Sequence, residues 1–577
     1  MVRPLHPPRF LVPLLLLAAL FALFAAPGRA EARPGMVVGI EQFGMMENPT
    51  TGPIMMDTQR DYGAKVIRYI VRWDWVAKCD PRTKGSPTDP NNACYDFSAT
   101  DYVTAQANAR GMQVLLSIWG APKWVHNNPS QSYVGRSDAQ FTHFVDRFAE
   151  FSQAATTRYD GRHGHGRVTQ WTIWNEPNGN FFEPRWEGTK LIGPARYARL
   201  YDTAARRIKA VDPTLRVAVG PTAPLARELP PITFMEGVLP LLEQWKSPID
   251  AWGHNAYIAG QSPFATTITS PRVGLGNIKD LTDELDQYSV TRDKPIWITE
   301  FGYRTGTYGS DAISTELQAI RTADALRFAW LNPRIETFIW YSLQDEGGEK
   351  GFNSGLFHPS NVTCSTKLCP KPAALVFQRT LWLSGRSASG AVVVWGQSRV
   401  DPAATKIFVQ APGEGWRAYA NADTAQTGTV EAKLLLPLGT KVMTCDKWCA
   451  PARTVEGSTS GGGATTRVIK RKAAVLKRTT TIKRGFRFVE PCKGCRVTAV
   501  LTAKGKVSGI ASATRRAVVV GRAKPLKVRS GVHMQVRLTA AARRELTKRR
   551  RSTLVLRTYV TTGAGAQIVY ERSVVLR

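Results

Sequence analysis

Between residues 36 and about 345, short β-branched runs alternate with longer amphipathic stretches, and that alternation leaves few folds open. The β-branched runs predict eight strands: Val37–Glu41, Val66–Trp73, Val114–Trp119, Val168–Glu176, Arg216–Pro221, Asp250–Tyr257, Pro295–Glu300 and Ile335–Tyr341. Between them, segments such as Ala139–Arg158, Ala195–Val211 and Thr315–Trp330 carry apolar residues at helical spacing. A strand followed by a helical return pairs in parallel with the next, since antiparallel neighbours need only a tight turn. Eight such units predict an α/β fold, a (β/α)8 TIM barrel lengthened by loop insertions.

Downstream the helical period disappears. Residues 386–455 read as short strands broken by Gly and Pro (Ala391–Trp395, Lys406–Gln410, Thr427–Leu436), a small β-domain. Residues 456–466 hold a Gly/Ser/Thr run that predicts a flexible linker. Residues 467–577 resume alternation around one helical stretch, Ala540–Arg550, and predict a C-terminal β-sandwich domain. The barrel then occupies residues 31–385. Charge divides at the same linker. The chain carries +32, and residues 467–577 hold 29 of its 77 Lys and Arg but 3 of its 45 Asp and Glu. Such a tail suits an anionic envelope polymer as partner, through runs such as Lys470-Arg-Lys472 and Lys548-Arg-Arg-Arg551, equally with a basic surface of no special role.

Residues 1–30 place Arg3 and Arg9 before an apolar run, Leu11–Ala26, and end Pro27-Gly-Arg-Ala30, the layout of a secretory signal peptide cleaved after Ala30. The run is 16 residues with Pro13 inside it, short of the roughly 20 that span a bilayer. No transmembrane segment is expected in the mature chain. The expected location is extracellular, with envelope association through the tail. Eight cysteines fall as four close couples, Cys79/Cys94, Cys364/Cys369, Cys445/Cys449 and Cys492/Cys495, which an oxidising compartment would pair locally.

In such barrels reactive groups sit at the C-terminal ends of strands. Strand four closes Trp171-Thr-Ile-Trp-Asn-Glu176-Pro-Asn178 and strand seven closes Pro295-Ile-Trp-Ile-Thr-Glu300-Phe-Gly302. Two carboxyls on nearly opposite strands face a common cavity. One can protonate a leaving oxygen while the other attacks or activates water, the pair that splitting a glycosidic bond requires. Asn175 beside them can hydrogen-bond a sugar hydroxyl as charge develops.

These two motifs, in this order and spacing, resemble the retaining glycoside hydrolases of clan A, over approximately residues 36–345. The surrounding text is most similar to family 39 and its β-xylosidase-like neighbours, with family 5 also open. The resemblance implies a secreted retaining O-glycosyl hydrolase, a β-glycosidase or endo-glycanase, with Glu176 as acid/base and Glu300 as nucleophile. It places Arg68 beneath the nucleophile, with Arg72 as a competing choice, and His254 or Tyr257 as a hydrogen-bond donor to it. Trp340 would form an aromatic platform under the reacting sugar, with Trp119, Trp124, Trp186 and Tyr303 extending that wall.

No metal and no organic cofactor is called for. His163-Gly-His165 precedes strand four and so falls on the face away from this chemistry. No phosphate-binding Gly-rich loop follows a strand, and no nucleic-acid partner is expected. The remaining alternatives are a non-catalytic carbohydrate-binding envelope protein that kept the cleft, and transglycosylation on the same residues. Two acids at reacting positions argue against the first.

Overall fold

The computed structural model describes residues 35–224, 229–306, 311–348, 351–364, 368–387, 389–400, 405–420 and 428–456. In the basic tail it describes segments 467–476, 481, 486–490, 496–503, 518–528, 531–538, 540–547, 552–561 and 567–576. The expected signal segment, the Gly/Ser/Thr run, the Cys492/Cys495 couple and Lys548-Arg-Arg-Arg551 lie outside the described residues.

Eight parallel strands close into a barrel: β1 (Val37–Glu41), β2 (Val66–Arg72), β3 (Gln113–Trp119), β4 (Gln170–Ile173), β5 (Arg216–Thr222), β6 (Ala251–Asn255), β7 (Ile296–Phe301) and β8 (Ile335–Tyr341). Helices return the chain between strands: α1 (Gly52–Asp61), α2 (Ser98–Ala109), α3 (Asp138–Arg158), α4 (Gly193–Val211), α5 (Pro231–Gln244), α6 (Ile278–Leu285), α7 (Thr315–Leu331) and, after β8, α8 (Pro372–Gln378). The expected (β/α)8 barrel is the observed one.

Local chemistry fixes the helix starts. Ser137 Oγ accepts from the Gln140 amide at 3.2 Å while Gln140 returns its side chain to Ser137 N, a reciprocal cap on α3. Ser314 caps α7 through Leu317 N at 3.1 Å.

Alternate residues of each strand point inward. Val66, Leu115, Ala218, Ala251, Trp297 and Ile339 form one buried cluster inside the barrel, and the two alanines leave room for the indole. Trp297 satisfies its N–H on Glu336 Oε2 at 2.8 Å, and Arg216 pairs with the same oxygen at 2.8 Å. This packed plug leaves the opposite, C-terminal end of the barrel free to carry a cavity.

β4 is shorter than its sequence suggests. It stops at Ile173 because Trp174 (φ 72°) and Glu176 (φ 47°) adopt left-handed backbone, which strands cannot continue. Each non-glycine residue there costs on the order of 1–3 kcal/mol, and such strain concentrates at functional sites. Neighbouring strands hold the strained turn: Trp174 N donates to Ile118 O and Glu176 N to Pro221 O, both at 2.8 Å.

Beyond α8, strands Arg379–Leu383, Ala391–Ser398 and Thr429–Leu435 form one antiparallel sheet. Arg417–Ala420, Lys406–Gln410, Lys441–Cys445 and Arg453–Thr454 form another. A shared core that includes Leu383, Val394, Ile407, Val430 and Val442 lies between them. The first strand, Arg379–Leu383, begins upstream of residue 386. This β unit docks on α7: Trp382 donates to buried Asp324 at 3.2 Å, and the Arg327 guanidinium lies 5.4 and 5.2 Å from the Trp382 and Trp395 rings. In the tail, seven strands form one hydrogen-bonded sheet. Disulfides join Cys79–Cys94, Cys364–Cys369 and Cys445–Cys449. Among the described residues no helix is long and apolar enough to cross a membrane.

Candidate active site

The C-terminal mouth of the barrel holds a cavity of about 580 Å³ whose walls include Glu41, Arg72, Trp119, Asn175, Glu176 and Glu300. At its floor Arg68, fully buried on β2, spends its guanidinium on four groups. Nη1 reaches Glu300 Oε1 at 2.6 Å and Glu41 Oε2 at 2.8 Å, Nη2 reaches Asn175 Oδ1 at 2.8 Å, and Nε reaches Ser117 Oγ at 3.0 Å. A planar guanidinium offers five N–H donors in a fixed fork, where an ammonium offers three from one point. Arg68, not Arg72, is therefore the arginine beneath Glu300. Arg72 is fork-paired to Asp74 at 2.8 and 2.6 Å on the cavity wall.

Tyr257 donates to the second oxygen of Glu300 at 3.0 Å. Burial first, then the adjacent Glu300 charge, pushes the Tyr257 phenol well above its ordinary range, so it stays a donor. Glu300 thus has a cation on one oxygen and a neutral hydroxyl on the other. Gly302, two residues on, is required by space: a methyl there would sit 2.2 Å from Tyr341 O.

Glu176 meets a different environment. Its one hydrogen-bond donor is neutral, Asn255 Nδ2 at 2.8 Å, and Asn255 is itself fixed by Thr299 Oγ1 at 2.8 Å. Burial, followed by the Glu300 charge, raises Glu176 to about 7, against smaller opposing contributions from Asn255 and Arg68. Glu41 is also raised to about 7, again chiefly by burial, with Arg68 opposing.

Several residues expected in the site lie elsewhere. Trp340 is fully buried behind β8, its N–H on Ser354 O at 3.1 Å and its ring against Phe301, Tyr303 and Phe377. Because Ile339 faces inward, Tyr341 two residues on shares that face and lines the cavity in place of Trp340. His254 likewise lies outside the cavity, between Thr222 Oγ1 at 2.8 Å and Val273 O at 3.1 Å, and burial lowers it to about 4. Asn255 takes the inward place. Trp119 does line the cavity, while Trp124 packs on Trp73, Trp186 stands in a hairpin of two-residue strands, and Tyr303 is buried. The last residue of the strand-four motif, Asn178, is a fastener, exchanging hydrogen bonds with the Ala223 backbone at 2.7 and 2.9 Å.

Glu41, Asn255 and Tyr341 were not singled out by the sequence, although inward parity marks all three. His163 and His165 bind Asp160 and Asp101, and the described residues contain no cluster of His, Cys, Asp and Glu fit to hold a metal ion.

Residues 30–340, more than half the chain, match the sequence model of "Cellulase (glycosyl hydrolase family 5)". A "Beta-xylosidase" of Geobacillus stearothermophilus is 22% identical over 296 residues, covering 49% of this chain and 55% of that protein, so the chain spans about half the length of this curated relative. Solved structures with similar backbones include a glucosidase from Croceicoccus marinus (16% identity, 72% of this chain and 94% of that chain, TM-score 0.45). Another is xylanase 10B from Thermotoga maritima (16% identity, 59% of this chain and 94% of that chain, TM-score 0.40). The family match covers the barrel and both carboxyl-bearing motifs, and the chain belongs to glycosyl hydrolase family 5, the cellulase family of clan A.

Proposed function

We propose that the protein hydrolyses β-linked glycosidic bonds in a poly- or oligosaccharide by double displacement with retention of anomeric configuration. The observation that carries this reading is the unequal treatment of two carboxyls facing one cavity. Glu300 is paired with Arg68 at 2.6 Å, whereas Glu176 has a neutral donor and is raised to about 7. A pair of acids whose surroundings push them apart is suited to opposite roles.

In the first step Glu300 attacks the anomeric carbon and Glu176 gives its proton to the leaving oxygen, forming a glycosyl-enzyme ester. In the second, Glu176 takes a proton from water, which displaces Glu300 and releases the sugar. Asn175, oriented by Arg68, faces the cavity where it can hold a sugar hydroxyl. The test is product release from a panel of β-linked glycosides, with product anomers followed by proton NMR. Retained anomers that vanish in Glu300→Gln are expected. Inverted products, or activity surviving in the variant, would overturn the mechanism.

The three disulfides, of a kind that persists in oxidising compartments, support the reading that the protein is exported. The charge of residues 467–577 supports a role in holding the enzyme on anionic envelope polymers, which salt should release.

A further inference from the structure

Three glutamates, Glu41, Glu176 and Glu300, line the cavity, and double displacement uses two of them. The third, Glu41, closes β1, where the register sets it opposite Arg68 of β2 on one side and Tyr341 of β8 on the other. It is buried, and Arg68 Nη1 is its one hydrogen-bond donor, at 2.8 Å. The same nitrogen lies 2.6 Å from Glu300 Oε1. A single positive charge therefore stands between two acids. Were both anions, one negative charge would go uncompensated in a site largely shut off from water.

Their surroundings decide which acid is charged. Glu300 has a donor on each oxygen, Arg68 and Tyr257, and 13% of its side chain reaches solvent. Glu41 has one donor, and 1% of its side chain does. The proton therefore falls to Glu41. Its rise to about 7 agrees, with burial first, Arg68 opposing and the Glu300 charge adding. Two phenols also stand near it, Tyr257 and Tyr341, and burial together with these carboxyls holds both above their ordinary range, so they stay neutral.

This balance has to change during the reaction. Once Glu300 is joined to a sugar as an ester it carries no charge, and fully buried Arg68 would face two neutral partners, an unfavourable state for a cation. We propose that Glu41 is a charge reserve for Arg68: it keeps its proton while Glu300 is an anion and gives it up when Glu300 becomes neutral. This rests on the function proposed above and deepens it. In the first step the bond from the anomeric carbon to the leaving oxygen breaks, the Glu300 ester forms and the leaving oxygen takes the Glu176 proton. The Glu41 O–H bond opens as well: its electron pair stays on the carboxylate and its proton passes to water through the cavity that Glu41 lines. In the second step the attacking water gives a proton to Glu176, Glu300 regains its charge and Glu41 takes a proton back from solvent. Arg68 then has one counter-charge throughout. Because Glu41 acts through Arg68, it is a positioning residue.

Glu41→Gln keeps the neutral form and cannot ionise. With 2,4-dinitrophenyl β-glucoside and β-xyloside, kcat/KM on the one that is cleaved should fall roughly tenfold, since forming the ester now leaves Arg68 unpaired. Hydrolysis of the ester trapped from the 2-deoxy-2-fluoro analogue should be unchanged or faster, because it restores the pair. Equal slowing of both steps marks a merely structural role and would overturn the proposal, as would an unchanged kcat/KM. A second measurement needs no substrate. Glu300→Gln stands in for the uncharged ester, and carbon-13 NMR of glutamate-labelled protein follows the Glu41 carboxyl, assigned by its loss in Glu41→Gln. Its titration midpoint should fall by about two pH units in Glu300→Gln. A midpoint that stays in place sinks the reserve and leaves the hydrolase standing if glycosides are cleaved. A fall with no glycoside cleaved upholds the reserve while the hydrolase reading fails.

Discussion

Glu41 and Glu300 accept hydrogen bonds from one nitrogen: Arg68 Nη1 lies 2.8 Å from Glu41 Oε2 and 2.6 Å from Glu300 Oε1. The proposed nucleophile therefore shares its counter-charge with a second buried carboxyl. Which lysine or arginine stands at position 68 matters more than its charge. Arg68→Lys keeps one positive charge but loses the fork that orients Glu300, Glu41, Asn175 and Ser117 together. A loss of roughly 10²-fold in kcat/KM and about 3 kcal/mol or more in stability is expected, from activity assays and urea unfolding. Near-wild-type activity in the lysine variant would show that charge alone suffices.

In the proposed acid role Glu176 must carry its proton, and burial holds it at about 7. Activity should fall as pH rises past that value. Asn255 stabilises the ionised form, so Asn255→Leu favours the proton and should move the alkaline decline of kcat/KM to higher pH. A pH–rate profile shifted the other way, or not at all, would remove Glu176 from the acid role.

The same burial costs stability. Between the ordinary 4.5 and about 7, native Glu41 and Glu176 keep protons that the unfolded chain has released, so stability declines as pH rises through that window. Glu176→Gln removes one of these groups. Its Tm should exceed that of wild type at about pH 7.5, by an equivalent of roughly 1–3 kcal/mol, and converge with it near pH 4.5. Calorimetry at the two pH values decides.

Positions 340 and 341 should respond in opposite ways. Trp340 is core, so Trp340→Ala should cost roughly 3–5 kcal/mol by thermal unfolding. Tyr341 lines the cavity, so Tyr341→Ala should lower kcat/KM with a smaller change in Tm. A variant at 340 that raised KM at unchanged Tm would restore it to the sugar.

Much of this was readable in advance, through hydrophobic period. The eight strands and their helices follow from alternation that local packing obeys. Inward parity explains which neighbour points into the barrel. Ala251 points into the barrel, so Asn255 does too and His254 does not; the same count selects Tyr341 over Trp340. Resemblance pointed to His254 and Trp340 at these places, and parity gives Asn255 and Tyr341 as the inward-facing residues. Parity alone would fail on β7. There Trp297 faces inward, yet the register shifts between His254 and Asn255 and again between Phe338 and Trp340, bringing Glu300 into the cavity. The break in β4 was also hidden, because left-handed backbone at Trp174 and Glu176 has no signature in residues that lack glycine.

Asp324 is the hinge pin between the two units that pack along α7. It accepts from Trp382 of the β unit, from Ser262 of the barrel at 2.9 Å and from Arg321 at 2.9 Å, with none of its surface exposed. A chain cut after residue 385 would keep Trp382 but lose Trp395 and the strands that support it, leaving Arg327 against water. The barrel and its β unit should therefore melt in a single calorimetric transition, and a fragment that keeps these contacts has to extend to about residue 456.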